Sequence, residues 1–157
     1  MIANDVAVCG HQIRWLKVGE SLPVQSKQVQ TRQVTFKNML LSNKYLTPGV
    51  VIKRNIPFRF DEGKRFSEDY LLWLTILARG YRGDFICVDL GYMYKAPFGA
   101  GGLSSKLWDM EKGELDTYFR LYREGHVSLL GLGGVCFLSI LKYLRRSYRV
   151  NSGGVSA

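Results

Sequence analysis

The apolar positions of the chain come in short blocks separated by polar stretches, and the spacing inside each block predicts its element. Val6-Ala7-Val8-Cys9-Gly10 is an apolar run closed by glycine, and His11 to Leu16 continues with apolar and polar residues mixed, which reads as one or two strands. From Val18 to Val34 the chain is polar, with Gly19, Pro23 and many Gln, Ser and Lys residues, and reads as a solvated loop or an edge strand. Thr35 is placed to cap a short helix over Phe36–Leu41 that stops near Ser42-Asn43. Pro48-Gly49 then precede Val50-Val51-Ile52, a β-branched run that predicts a buried strand, and Pro57 with Asp61-Glu62-Gly63 ends that unit in a loop.

Ser67 to Gly80 carries the clearest helix pattern. Ser67 is a candidate N-cap, Glu68 and Asp69 fall in the first turn, and Gly80 suits the left-handed position past the end. Tyr70, Leu71, Leu72, Trp73, Leu74, Ile76, Leu77 and Ala78 lie between and are apolar on nearly every face, so the helix is expected inside the fold rather than on it. Phe85–Val88 predicts a buried strand and Leu90–Tyr94 another. The glycine-rich turn Phe98–Gly102 leads into helices between Leu103 and Glu124. The class is mixed α/β with the strands first.

The tail differs in kind. Val127 to Leu141 is fifteen residues without a charge. As a helix it spans about 22 Å, short of a hydrocarbon core of about 30 Å. Lys142 to Arg149 follows as a basic and aromatic flank. The pair predicts an interfacial or membrane-dipping helix over 125–150, resting on an anionic surface, with a disordered end at 151–157. The competing reading is a helix docked on the core with a solvated basic end.

Composition narrows the class without naming a function. A chain of 157 residues with 46% hydrophobic residues is expected to hold one core and to be neither disordered nor fibrous. Three widely spaced cysteines give neither a disulfide scaffold nor a zinc site and fit a reducing compartment, and the start lacks the pattern of a secretory signal, so a cytoplasmic location is expected. The net charge of +9 divides as +7 over residues 1–60, −2 over 61–124 and +4 over 125–157. Such a balance attracts nucleic acid, anionic membrane or phosphate-bearing small molecules alike. With no run of five basic residues, no helix-turn-helix pattern and no aromatic nucleic-acid motif, nucleic acid is not the expected partner.

The candidate chemistry lies at Glu68 and Asp69. Acids at a helix start are favoured by the helix dipole by about 0.3–1 kcal/mol whatever the function. Here they open an almost wholly apolar helix, where partial desolvation and the neighbours Lys64 and Arg65 could tune a general base. The segment Phe58-Arg59-Phe60-Asp61-Glu62 followed by Phe66-Ser67-Glu68-Asp69-Tyr70-Leu71-Leu72-Trp73-Leu74 resembles the Phe-Asp-Glu and Glu-Asp-Tyr-x-Leu-Trp-Leu signature of family 2 glycosyltransferases with the GT-A fold. Thr47–Arg54 looks like the strand that precedes the signature, and Asn4–Gly10 is similar to the strand after the family's metal-binding loop.

The resemblance covers residues 4 to about 124 and implies the C-terminal part of a GT-A domain over 1–124, a mixed sheet flanked by helices. It implies an inverting transfer from a nucleotide sugar to a glycan or lipid-linked acceptor, in bacterial surface polysaccharide synthesis at the inner face of the cell membrane. Asp69 would be the general base and Glu68 would position or bind the acceptor. Trp73, one turn beyond Asp69, is either core packing or a sugar platform. Lys95, Gly101, Gly102, Leu103 and Ser104 occupy the place of the family's mobile loop over the donor diphosphate, or form a plain turn.

The departure from the family is at the donor side. The intact enzyme would need magnesium or manganese held by an Asp-x-Asp loop, and no Asp-x-Asp occurs in the chain. His11 and His126 have no ligand spacing and read as structural. The natural protein is therefore expected to be longer, or the chain to be a truncated or split product. The rival reading is a non-catalytic, basic membrane-associated or partner-binding module in which Glu68 and Asp69 only cap a helix.

Overall fold

The structure is a computed structural model that describes residues 5–17, 19–21, 29–94 and 106–151. Its elements in chain order are β1 (Val6–Trp15), β2 (Thr31–Val34), α1 (Phe36–Leu41), a 3-10 turn (Thr47–Gly49), β3 (Val50–Ile52), α2 (Glu68–Ala78), β4 (Arg82–Met93), α3 (Leu107–Arg123) and α4 (Leu129–Asn151). The mixed α/β class expected from the sequence holds. The chain divides into two compact units, Met1–Arg59 with Trp73–Ala96 and Phe60–Leu72 with Pro97–Ala157.

The first unit is built on a four-stranded mixed sheet of order β2-β4-β1-β3. Its centre is the parallel pair β1 and β4, with Cys9 opposite Asp84 and Gly10 opposite Phe85; β3 and β2 add antiparallel at the two edges. The apolar run Val6–Cys9 is buried because β1 is flanked on both sides. Val6–Trp15 form one strand rather than two, and the short polar Thr31–Val34 is the edge strand allowed for in the sequence. Val50–Ile52 does form a strand, but an edge one with Val51 exposed, so its expected burial is corrected. A β-branched run records fit to a pleated surface, not position in the sheet. Phe85–Val88 and Leu90–Met93 belong to one strand, β4, whose register against β1 shifts on either side of the Gln12–Asp89 pair.

Tyr45 organises this unit. Its buried ring meets Trp73 edge-on at 6.0 Å between centroids and stacks on Phe85, and its hydroxyl donates to the Asp84 carbonyl at 3.1 Å. A Cβ on Gly83 would lie 2.7 Å from Leu77 Cδ2 and 2.8 Å from Tyr45 Oη, so the bare backbone there lets helix and sheet close up. Thr35 caps α1 as predicted, accepting from the Asn38 N–H. Gly80, at φ 81, ends α2 in a Schellman motif, with Gly80 N–H bonded to Leu77 C=O and Tyr81 N–H to Ile76 C=O.

The second unit is helical. Leu107–Arg123 is one helix, α3, closed by Gly125 at φ 77 in the same way as α2. The Ser128 hydroxyl accepts from Gly131 N–H at the start of α4. Leu132, Val135 and Ser139 of α4 are buried, and Ser139 and Arg146 both bond to Glu111 of α3. The sequence boundary between 1–124 and 125–150 thus falls between two helices that one unit holds together. Of the tail, Asn151 closes α4 and the remainder lies outside the described residues. Among the described residues, no helix is long and apolar enough to cross a membrane.

Candidate functional site

The candidate site starts in the loop before α2. Asp61 opens a tight turn, its carboxylate accepting from Gly63 N–H at 2.9 Å and its carbonyl from Lys64 N–H at 3.1 Å. Arg120 of α3 donates to the other Asp61 oxygen, and this guanidinium holds the Asp61 carboxyl below its usual range. Lys64 is buried and donates at 2.7 Å both to Gly113 C=O and to Asp116. Partial burial alone would push Asp116 up, yet Lys64 and Arg120 together bring it below the ordinary value. The hydrogen-bond partners of the Lys64 ammonium thus come from α3. Arg65 is exposed and carries its positive charge near Asp109.

Ser67 precedes α2 but is not an ordinary N-cap. Its φ is 55, in the left-handed region, and its hydroxyl donates to Met110 C=O at 3.3 Å. Glu68 and Asp69 follow in the first turn, each half-buried, and the Asp69 carboxylate accepts from Tyr70 N–H at 2.7 Å. Directly after them every residue from Tyr70 to Leu74 is buried, as the apolar pattern predicts. A polar chain joins α2 to α3: Tyr70 Oη lies 3.4 Å from Tyr118 Oη, which donates to Glu114 at 2.7 Å, and the two rings meet edge-on. Both acids are held on a helix start and remain half in contact with solvent.

Trp73 is 1% exposed and packed on Tyr45, and a ring enclosed in this way presents no face for a sugar. Lys95, Gly101, Gly102, Leu103 and Ser104 lie outside the described residues. The structure sets Glu68 and Asp69 in the first turn of α2 and places Trp73 in the core. An open depression of about 560 Å³ in the sheet unit is lined by Cys9, His11, Arg82 and Asp84 among others, and by none of Glu68, Asp69 and Trp73.

His11 Nδ1 is 2.9 Å from the Gln12 carbonyl oxygen, and His126 is 3.5 Å from Glu124. Among the described residues no group of three or more His, Cys, Asp or Glu side chains could hold a metal ion. They do not fit the magnesium or manganese site that the family resemblance implies for the intact enzyme. Burial pushes the Cys9 and Cys136 thiols up, which disfavours the reactive thiolate form.

Sequence reasoning missed Glu111, fully buried in α3, and the partners Ser139 and Arg146 that reach it from α4. A signal was present. Glu111, Glu114, Tyr118 and Leu121 are spaced 3, 4 and 3 apart and share one helix face with two buried apolar residues. No protein-family model, no curated protein and no solved structure matches the chain.

Proposed function

We propose that the chain is the acceptor-side part of an inverting glycosyltransferase of the GT-A, family 2 type, with Asp69 as general base and Glu68 beside it on the acceptor. The observation that carries the reading is the joint placement of the Phe-Asp-Glu and Glu-Asp-Tyr segments: a braced loop delivers a half-buried carboxylate to the first turn of a buried helix. In the reaction the acceptor hydroxyl oxygen bonds to the anomeric carbon of the donor sugar. The bond from that carbon to the nucleoside diphosphate oxygen breaks, and the hydroxyl proton passes to the Asp69 carboxylate. A base fixed on a helix start supplies the orientation such a displacement needs. The donor would be a nucleotide sugar and the acceptor a glycan or a lipid-linked sugar, as in bacterial surface polysaccharide assembly at the inner face of the membrane.

The test is sugar transfer by the protein purified from its source, whose intact mass is measured first. Asp69→Asn is expected to abolish transfer while far-ultraviolet circular dichroism is unchanged. Activity retained within about tenfold removes the base assignment. The alternative, a non-catalytic module in which the two acids only stabilise the helix start, is favoured by one observation, the exposed apolar face of α4. Under it Asp69→Asn changes only helix stability, by about 1 kcal/mol or less.

A further inference from the structure

Helix α4 has two apolar faces, and among the described residues the second is uncovered. Leu132, Val135 and Ser139 turn inward and Arg146 reaches Glu111. On the opposite side Leu130, Phe137, Leu141, Leu144 and Tyr148, spaced 7, 4, 3 and 4 apart, line up along the helix and are between 46% and 89% exposed. A continuous exposed stripe of large apolar side chains marks an interaction surface, unlike single exposed residues, which are ordinary. Lys142, Arg145 and Arg149 are exposed along one flank of the stripe, and residues 125–157 contain no acid.

We propose that this face lies in the plane of an anionic bilayer, with Leu130, Phe137, Leu141, Leu144 and Tyr148 entering the boundary between headgroups and acyl chains and Lys142, Arg145 and Arg149 meeting lipid phosphates. Charge complementarity selects this occupant. A second copy placed antiparallel about a twofold axis would set each basic C-terminal flank beside the partner's uncharged N-terminal half, which offers it no carboxylate. Placed parallel, it would meet those flanks with no carboxylate, because α4 carries none. An anionic leaflet offers an apolar layer beneath a negative one, the order in which stripe and flank are arranged. The 23-residue helix, about 34 Å long, lies on the surface in this arrangement, since the opposite face is held by α3. The surface is independent of the transfer chemistry proposed for Asp69.

Removing the tail is a poor test, because α4 carries part of the second unit's core; substitutions on the outward face leave that core intact. The full chain is sedimented with vesicles of phosphatidylcholine alone and of phosphatidylcholine with phosphatidylglycerol. The expected result is strong binding to the anionic vesicles. Phe137→Glu with Leu141→Glu should lower it by more than about tenfold with unchanged circular dichroism. Lys142→Gln, Arg145→Gln and Arg149→Gln together should lower it roughly a hundredfold on anionic vesicles only, from about fivefold per charge. No binding by the unsubstituted chain, or equal binding by the Glu variant, overturns the proposal. So does a concentration-dependent dimer in analytical ultracentrifugation that the Glu variant abolishes, since the face would then belong to a second copy.

Discussion

Replacing Glu111 distinguishes what its carboxylate contributes by hydrogen bonding from what its charge costs in a buried place. The side chain is 0% exposed; it accepts from Ser139 Oγ at 2.7 Å and from Arg146 Nη2 at 3.2 Å. Glu111→Ala removes both bonds and leaves a cavity. Breaking a fully buried pair costs about 3–5 kcal/mol. The Arg146 side chain is 30% exposed and can turn to water, which places the expected loss near 2–3 kcal/mol. Glu111→Gln keeps the shape and an oxygen for Ser139, and is expected to cost about 1 kcal/mol or less near neutral pH.

The pH dependence gives the sharper comparison. Burial raises the Glu111 carboxyl above its ordinary value of 4.5, and nearby Glu114 raises it further. The Ser139 bond and the charges of Arg146 and Lys142 offset only part of this. A carboxyl raised in the folded state binds its proton more readily folded than unfolded, so its contribution is complete at low pH and is lost as pH rises through the folded value. Glutamine does not titrate. In urea unfolding followed by circular dichroism at a series of pH values, the stability of the natural chain relative to Glu111→Gln should therefore fall as pH rises from about 4.5. A relative stability that rises over the same range would mean that the Arg146 pair outweighs desolvation and would refute the reasoning. So would a Glu111→Ala variant within about 0.5 kcal/mol of the natural chain.

Burial holds the hydroxyls of Tyr45, Tyr70 and Tyr118 above the usual range for tyrosine. Raised values mean stability lost as pH climbs above about 10, so three of the nine tyrosines should stay un-ionised in an absorbance titration until the fold opens; nine phenolates with an intact dichroism spectrum would contradict the packing. A Cβ on Gly113 would stand 2.6 Å from the Phe66 carbonyl oxygen and 2.9 Å from its carbonyl carbon, whereas one on Gly133 meets nothing within 4 Å. Gly113→Ala should destabilise by about 1–3 kcal/mol and Gly133→Ala should stabilise by up to about 1 kcal/mol in thermal unfolding. Equal effects would show that α3 does not approach Phe66 so closely.

Local features were legible in the sequence where a local cause fixes them. Thr35 caps α1, Gly80 ends α2 at positive φ, and the unbroken apolar run after Asp69 is buried, each through interactions within a few residues. The errors arise where a distant partner decides. Val50–Ile52 became an edge strand because β1 has only one other neighbour to pair with, β4, which is 30 residues further along. Asp89 did not end β4 because pairing with β1 resumes beyond it after a register shift. The bonds of Lys64 to Asp116 and Gly113, about fifty positions away, had no local signal. The two readings of the uncharged tail proved compatible on one helix: a face of Leu132, Val135 and Ser139 docks on α3 while the opposite face stays apolar and exposed.

The junction at Ser67 bears most on whether Glu68 and Asp69 are more than a favourable helix start. Two acids in a first turn are stabilised by the helix dipole without any special backbone, and a serine in extended conformation would cap that turn better than one at φ 55. A left-handed non-glycine residue costs about 1–2 kcal/mol. Here it is held from α3 at several points: Ser67 Oγ on Met110, Lys64 on Gly113 and Asp116, Arg120 on Asp61, and the bare Gly113 against Phe66. Strain maintained by so many contacts sets the entry angle of α2, and with it the place of the Asp69 carboxylate, more tightly than capping requires. A backbone outlier of this kind leads to a hypothesis of positioning, and the function proposed above for the Asp69 carboxylate is one that needs a fixed orientation.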